Sequence, residues 1–450
     1  MYNIIINLLD LKEGQVEDIK LDYNQNKLDV TIILKRKLHS CPRCLKSSNK
    51  VKDYTIKKYS HQIINHFDTT IYYQCRRYVC PHCNKTFNES SPFGKTYHCI
   101  SNTTFVHILE DLKHYSATYS QVAKKYKVSP TTVMKIFDNH VQVKRHTFPE
   151  VMCIDEFYFN RHSKYKYAFM IMGFKNKLIL DIVESRRQSK LSDYFFHIPI
   201  EERREVKTVC MDMYIFYKQL MQLYFPNSII CIDSFHVIKK VTDSLNSVRK
   251  RICRRYNDNK DSKEYKLLKY RYKLLLKSGD KINNEKYFFD RTLGYTTSEA
   301  RVLVEILSID DNLRIAYNLK EEYRMFNSVK ESEYDKKESD ETFDDPITRM
   351  LTCEIREMVN AGKTLSNWKE EIKNSFTWID GRRISNGCIE GKNSYIKKIL
   401  SNANGMSNFK RARNRMMYSQ NKHEKYVVSV HQAEIKKPGN SRGKYNKNNN

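Results

Sequence analysis

Long apolar runs are missing from this chain. Its longest, such as Tyr167-Ala168-Phe169-Met170-Ile171-Met172, fall well short of the roughly 18 residues a membrane span requires. The N-terminus has no basic start, apolar stretch and small-residue cleavage site, so it does not read as a signal peptide. No internal repeat is visible, which excludes a repeat array. Acidic residues are scarce relative to basic ones: 52 Asp and Glu against 80 Lys and Arg, a formal charge of +28. That excess goes beyond what solubility needs and favours a polyanionic partner. With no membrane segment, the expected polyanion is nucleic acid and the expected setting is the inside of a cell. The 12 cysteines do not suggest a disulfide framework. Four form two Cys-x-x-Cys pairs. Cys153, Cys210 and Cys231 sit in apolar runs, where a free thiol behaves as a small hydrophobe.

A length of 450 residues gives a prior of about three domains. Residues 1–37 carry a strand signal around Leu28–Leu34. A cysteine module spans 38–93, and the pattern turns helical over 100–145. From Glu150, apolar runs predict strands near 151–155, 164–174, 177–184, 206–212 and 228–233, with helices near 188–197 and 214–225. Three strands followed by strand–helix–strand is a mixed α/β pattern. The strand signal fades over 241–375, which reads as an all-helical segment. Within it, 264–275 and 299–307 read as helices and 330–345 as a charged, solvated loop. The α/β pattern is expected to close with 376–430. The tail at 436–450 lacks apolar residues and reads as disordered and basic.

Cys41-Pro42-Arg43-Cys44 and Cys80-Pro81-His82-Cys83 are the strongest local signal. Two such turns can bring four thiolates into a tetrahedral site, for which zinc in a structural role is the expected metal. The alternative is four free thiols. His61, Cys75, His82 and Cys99 are poorer ligand candidates by spacing. Downstream, Tyr119–Phe137 reads as two helices around a tight turn. Ser129 caps the second helix and Pro130 takes its first position. Thr131, Thr132 and Lys135 are left outward, where a recognition helix would meet a DNA major groove. An ordinary helical hairpin is the alternative.

Three acids stand in chemically telling places. Asp155 and Asp212 end apolar strand runs, and Glu390 sits near the start of the predicted helix at Asn386–Asn393. Carboxylates converging from strand ends and a helix can hold two divalent metals about 4 Å apart for in-line phosphoryl transfer. An RNase H-like fold carries such acids on its first strand, its fourth strand and a later helix. The predicted order gives Asp155, Asp212 and Glu390 those places, with 150–240 and 376–430 as the core and 241–375 as an insertion. Asp233 ends the fifth strand and rivals Asp212, and His236 lies close by in sequence; either can border the site. Glu156 would face away if its strand continued. Lys392, Lys397, Lys398, Arg411, Arg413 and Arg415 follow Glu390 and form a candidate track for a phosphate backbone.

The order of these motifs resembles the ISL3 family of bacterial insertion-sequence transposases. The resemblance is carried by Cys80–Glu89, the helix-turn-helix, Ile154–Phe157, Cys210–Met213, Phe225–Val237 and above all Ser385–Asn393 with Ile396-Lys397. Lys392 departs from the expected uncharged residue. The resemblance implies a DDE transposase with Asp155, Asp212 and Glu390 as its acids. It implies two Mg²⁺ ions, with Mn²⁺ as substitute, and DNA cleavage followed by strand transfer. The partners implied are terminal inverted repeats and target DNA, bound by a homo-oligomer in the bacterial cytoplasm at the nucleoid. The rival readings are an inactive DNA-binding regulator and an RNase H-like nuclease that does not join strands.

Overall fold

The structure, a computed structural model, describes residues 6, 9, 11–62, 64, 66–94, 99–334 and 336–421. The tail at 436–450 and the end of segment 376–430 lie outside the described residues. The chain forms two compact units. One comprises Met1–Lys144 with Tyr395–Asn450, the other Arg145–Ser394.

In the first unit, β1 (Val16–Asn24) and β2 (Lys27–Leu34) form an antiparallel hairpin. The two-residue strands β3 (His39–Ser40) and β4 (Ser47–Ser48) make a second, small one. β5 (Val51–Ser60) and β6 (Asp68–Val79) pair antiparallel, and β7 (Thr86–Asn88) adds to β6. β6 also pairs parallel with β2, giving the order β1-β2-β6-β5. Residues 1–37 and the cysteine module therefore share one sheet. Alternation explains why: Leu28, Val30 and Ile32 of β2 and Ile71, Tyr73 and Cys75 of β6 form one buried cluster. Helices α1 (Asn102–Asp111), α2 (Tyr119–Lys125) and α3 (Pro130–His140) follow. Thr118 and Gln121 form a reciprocal capping box at the start of α2. At α3, Ser129 Oγ accepts the Thr132 N–H at 3.0 Å.

The second unit is built on a five-stranded sheet. β8 (Val151–Tyr158), β9 (Tyr167–Gly173) and β10 (Ile179–Val183) form an antiparallel meander. After α4 (Gln188–Phe196) and α5 (Ile200–Arg204), β11 (Thr208–Met211) joins parallel to β8. Helix α6 (Ile215–Tyr224) then crosses over to β12 (Ile229–Ile232), parallel to β11. The strand order is β10-β9-β8-β11-β12. One face presents Met152, Ile154, Val209, Met211, Ile230 and Ile232 to Leu191, Phe195, Leu220, Met221 and Phe225. The period of two turns the intervening residues to the other face. There the Cys153 thiol donates to the Ser385 carbonyl and the Cys231 thiol to the Asn374 carbonyl.

The second unit continues with α7 (Ser234–Arg254), α8 (Lys263–Tyr270), α9 (Lys273–Leu276), β13 (Tyr287–Asp290) and β14 (Tyr295–Ser298). Next come α10 (Glu299–Leu307), α11 (Asp311–Asn327), α12 (Lys336–Thr352), α13 (Arg356–Asn367) and α14 (Lys369–Asn374). A small hairpin, β15 (Trp378–Ile379) and β16 (Arg382–Arg383), leads into α15 (Gly387–Asn402). α16 (Phe409–Gln420) belongs to the first unit.

Three expectations for 241–375 need correction. The segment is not all helical, because β13 and β14 pair antiparallel. The aromatic and threonine residues of Tyr287–Phe289 and Tyr295–Thr297 favour strands. Asp290 accepts the Thr292 N–H, and Gly294 at φ +78° closes the turn. The helix read at 264–275 is broken between Tyr270 and Lys273, where Arg271 pairs with buried Asp290. The loop read at 330–345 is in large part the first half of α12. Its charged start hid a helix whose anchors, Phe343, Ile347 and Met350, come later.

Candidate active site

The sheet ladders align three carboxylates. Cys210 pairs with Cys153 and Met211 with Ile232. Carrying each register forward sets Asp212 between Asp155 on β8 and Asp233 beyond β12. The ladder persists at that level, since the Asp233 N–H donates to the Met211 carbonyl at 2.9 Å. Each acid follows a cysteine by two residues: Cys153-Ile154-Asp155, Cys210-Met211-Asp212 and Cys231-Ile232-Asp233. This repeated Cys-x-Asp is what puts all three acids on the face opposite the apolar core. It was available in the sequence as a sign that Asp233 belongs to the row. β8 does continue past Asp155, so Glu156 faces the other way and is held by Arg186 and the Tyr217 hydroxyl.

The start of α15 fastens onto this row through two asparagines that sequence reasoning had given no role. Asn386 donates its backbone N–H to Asp233 Oδ1 at 3.1 Å. Its side-chain Nδ2 reaches the Ile154 carbonyl at 3.1 Å and Asp212 Oδ1 at 3.5 Å. Asn393 Nδ2 donates to Asp155 Oδ2 at 2.6 Å. Residues 386, 390 and 393 fall on one helical face, the spacing that could have revealed them. His236, on the first turn of α7, places Nε2 3.1 Å from Asp212 Oδ1. Asp212, Asp233 and His236 bring ligand atoms within 4.8 Å of one another. Glu390 is solvent-exposed in the first turn of α15, near enough for its charge to act on Asp212.

Burial, and then the charge of Asp212, push the Asp155 carboxyl up to about 7. Burial, and then Asp233, do the same to Asp212, with Glu156 and Glu390 adding to the effect. Burial also raises Asp233. Asp233 Oδ2, Asn386 Oδ1 and Asn393 Oδ1 are buried and without a hydrogen-bond partner among the described residues. Crowded carboxylates with unmet oxygens are an oxygen-rich donor set, with one imidazole nitrogen beside it, short of positive charge, which fits divalent cations.

The family model for ISL3-type DDE transposases matches residues 152–416. The chain belongs to this transposase family. Membership implies an enzyme with DNA as its partner and points to a divalent metal. No match was found among curated proteins. Asp155, Asp212, Asp233 and Glu390 lie within the matched stretch; the cysteine module and α1–α3 lie before it. Among the described residues, no helix of the transposase is long and apolar enough to cross a membrane.

The raised acids make a pH prediction for the transposase without divalent cations. A carboxyl shifted from 3.8 to about 7 holds its proton more tightly folded than unfolded. Its stabilising contribution is therefore present below pH 3.8 and lost as pH rises through about 7. Melting temperatures followed from pH 4 to pH 8 should fall less in the Asp155→Asn variant than in the parent. Equal slopes would mean that Asp155 titrates normally.

The four paired cysteines of the transposase converge. Cys41, Cys44, Cys80 and Cys83 have Sγ atoms within 4.8 Å of one another. Cys41 lies 3.6 Å from Cys83, and Cys44 lies 3.5 Å from Cys80. Four sulfurs about 2.3 Å from one tetrahedral ion sit about 3.8 Å apart, so the cluster fits a metal. Its two turns are built alike. The Cys41 N–H donates to Lys46 and the Leu45 N–H to Cys41; the Cys80 N–H donates to Lys85 and the Asn84 N–H to Cys80. Leu45 and Asn84 both adopt positive φ, 60° and 55°. Burial opposes ionisation, yet backbone N–H groups of Cys44 and Arg43 bring Cys41 down to about 6. The Lys85 N–H draws Cys83 down, but burial and the neighbouring sulfurs push it up to about 12. Cys83 is thus the member of the cluster whose ionisation most needs a neighbouring cation.

The DNA-contact candidates divide. Thr131 and Lys135 are exposed on α3 and Thr132 is half-buried. Lys392 is half-buried, and Lys397 and Lys398 are exposed further along α15, Lys398 lying over the Tyr115 and Tyr395 rings. The arginines of α16 have other work. Arg411 is paired with Asp138. Arg413 donates to the Val143 carbonyl at 2.7 Å. Arg415 is only 2% exposed and donates to the His114 and Ala117 carbonyls. Arg415 is thus a buried brace of the first unit and not part of a phosphate track.

Proposed function

We propose that this transposase cuts DNA at the ends of its element and joins the freed 3′-hydroxyl to target DNA, with Asp155, Asp212 and Glu390 as its acids. The observation that carries the reading is the carboxylate row at the ends of parallel strands, fastened to the helix that bears Glu390. The strand order, an antiparallel meander followed by two parallel strands, supports an RNase H-like core. Asp155, Asp212 and Glu390 would hold two Mg²⁺ ions, with Mn²⁺ as substitute. When bound, such ions activate the attacking oxygen and neutralise charge on the phosphate. Asn393 and Asn386 keep Asp155 and Asp212 in place, and His236 holds one oxygen of Asp212. Lys392 would offset backbone charge, while Lys397 and Lys398 contact DNA from the same helix. Asp233 immediately precedes α7 and supports the row from beside it.

The first unit would bind the terminal inverted repeats. One zinc would fix the cysteine turns in a structural role. α2 and α3 would act as a helix-turn-helix, with Thr131, Thr132 and Lys135 toward the bases. Two element ends in one reaction imply more than one copy on the DNA. The test is a joining assay with duplex copied from the DNA flanking the gene, a supercoiled target and Mg²⁺. Nicked ends covalently attached to target are the expected products. Nicks without joined product would leave a nuclease, and DNA binding without nicks a regulator.

Asn393→Ala should weaken Mn²⁺ binding roughly 10–100-fold by calorimetry, as loss of a residue that orients a ligand does. An unchanged Mn²⁺ affinity would leave Asn393 with a packing role only.

A further inference from the structure

We propose that Tyr214, Phe216 and Phe235 form a stacking rim for unpaired DNA bases next to the scissile phosphate. The substrate of the acid site is then an opened DNA end and not intact duplex. The inference rests on the transposase reading of that site. Its starting point is where the chain leaves aromatic rings in water. Tyr214 is 45%, Phe216 46% and Phe235 54% exposed. Tyr214 follows Asp212 by two residues, and Phe235 follows Asp233 by two. Phe235 also adjoins His236, whose ring is 5.5 Å away and whose Nε2 reaches Asp212.

The rim is seated firmly. Tyr214 lies 5.0 Å edge-on to Tyr217 and 5.3 Å from Phe216. Tyr217 is buried, and its hydroxyl is fixed on Glu156. A base that stacks here meets a surface already in place, with little ordering left to do. Exposed Lys239, one helical turn beyond Phe235, supplies the positive charge a nucleic-acid strand needs nearby.

Continuity with the acids decides between occupants. Tyr214 and Phe235 each stand two residues beyond an acid of the row, and Phe235 adjoins the histidine that reaches Asp212, so an occupant of these rings borders the acids and one compatible with activity has to be the substrate itself. A second copy seated there would cover the acids, and its contact would centre on carboxylates, which interface cores avoid. Bases within a duplex hide their faces against one another. Only an unpaired base can offer a face to a side chain, and enzymes acting beside a base commonly open the duplex to obtain it.

The experiment uses the full chain and two duplexes copied from the DNA flanking the gene. One is fully paired, and one is mismatched at the two base pairs next to the cut. Each carries 2-aminopurine beside the scissile phosphate. The variant combines Tyr214→Ala, Phe216→Ala and Phe235→Ala, with its melting temperature and Mn²⁺ affinity checked against the parent. The parent should raise 2-aminopurine fluorescence on binding paired DNA in Ca²⁺. The variant should not, and should nick paired DNA roughly 10–100-fold more slowly, from the loss of one or two stacked bases. Mismatches should restore most of its rate. Equal loss on both duplexes, or no loss on either, would overturn the rim. So would a retained fluorescence signal with a changed sedimentation coefficient, which would make the patch a contact between copies. If the parent nicks neither duplex, the transposase reading of the site fails first; if it nicks both with no fluorescence change, only the rim fails.

Discussion

Asparagine in place of Asp155 or Asp212, or glutamine in place of Glu390, is expected to lower Mg²⁺-dependent nicking of element-end DNA by about a thousand-fold or more, the scale on which directly acting charged groups contribute. Affinity for the same DNA in a gel shift should stay near that of the parent, because the proposed repeat-binding residues lie in the first unit. The two aspartates carry a second signature. Both are raised to about 7 by burial and by neighbouring acids, so each is a cost to the fold without metal. Their asparagine variants should therefore melt at or above the parent temperature while being inactive. A variant that is inactive because it is less stable would point to a structural acid. A variant that cleaves normally would remove that residue from the site.

Cysteine replacement should act elsewhere and differently. Cys80→Ser leaves three sulfurs where four converge. A closed sulfur site can contribute on the order of 10 kcal/mol to folding a small module, more than the usual stability of a domain. Elemental analysis should find about one zinc per parent chain and little in the variant. Limited proteolysis should then cut first within residues 38–93, in the sheet that joins β2 to β6. A zinc-free parent that still binds element ends would sink the assignment, and the four thiols would be a packed cluster.

How much of this could be read from the chain depended on whether a residue's partners were close in sequence. The strands were legible because Met152, Ile154, Val209 and Met211 alternate in a continuous apolar core. β8 was read short at Asp155 because a charged Glu156 looked like a strand end, yet its charge is met by Arg186, thirty residues away. The arginines of α16 looked like a track for a phosphate backbone for the same reason. The partners of Arg411 and Arg415, Asp138 and the carbonyls of His114 and Ala117, lie hundreds of residues earlier. Asn386 and Asn393 stood in the most specific motif of the sequence, but nothing local shows that their amides reach Asp212 and Asp155. The hairpin at Tyr287–Ser298 was hidden among helices, although Gly294 marked its turn.

The choice between Asp212 and Asp233 decides which acids hold the metal. Both end parallel strands, and with His236 they cluster within 4.8 Å. Asp233 is buried, leads α7 and accepts the Asn386 N–H on Oδ1. Asp212 stands between it and Asp155, next to the strand that carries the first acid. A metal ligand has to lie within about 2–2.6 Å of its ion, and a strand spacing of about 4.8 Å is enough to miss it. The decisive measurement is nicking by Asp212→Cys and Asp233→Cys in Mg²⁺ and in Mn²⁺. A thiolate ligand tolerates the softer ion better. The account predicts that Asp212→Cys is inactive in Mg²⁺ and recovers in Mn²⁺, while Asp233→Cys shows no metal switch. Recovery by Asp233→Cys, with Asp212→Cys inactive in both ions, would contradict it and move the site to Asp155, Asp233 and Glu390.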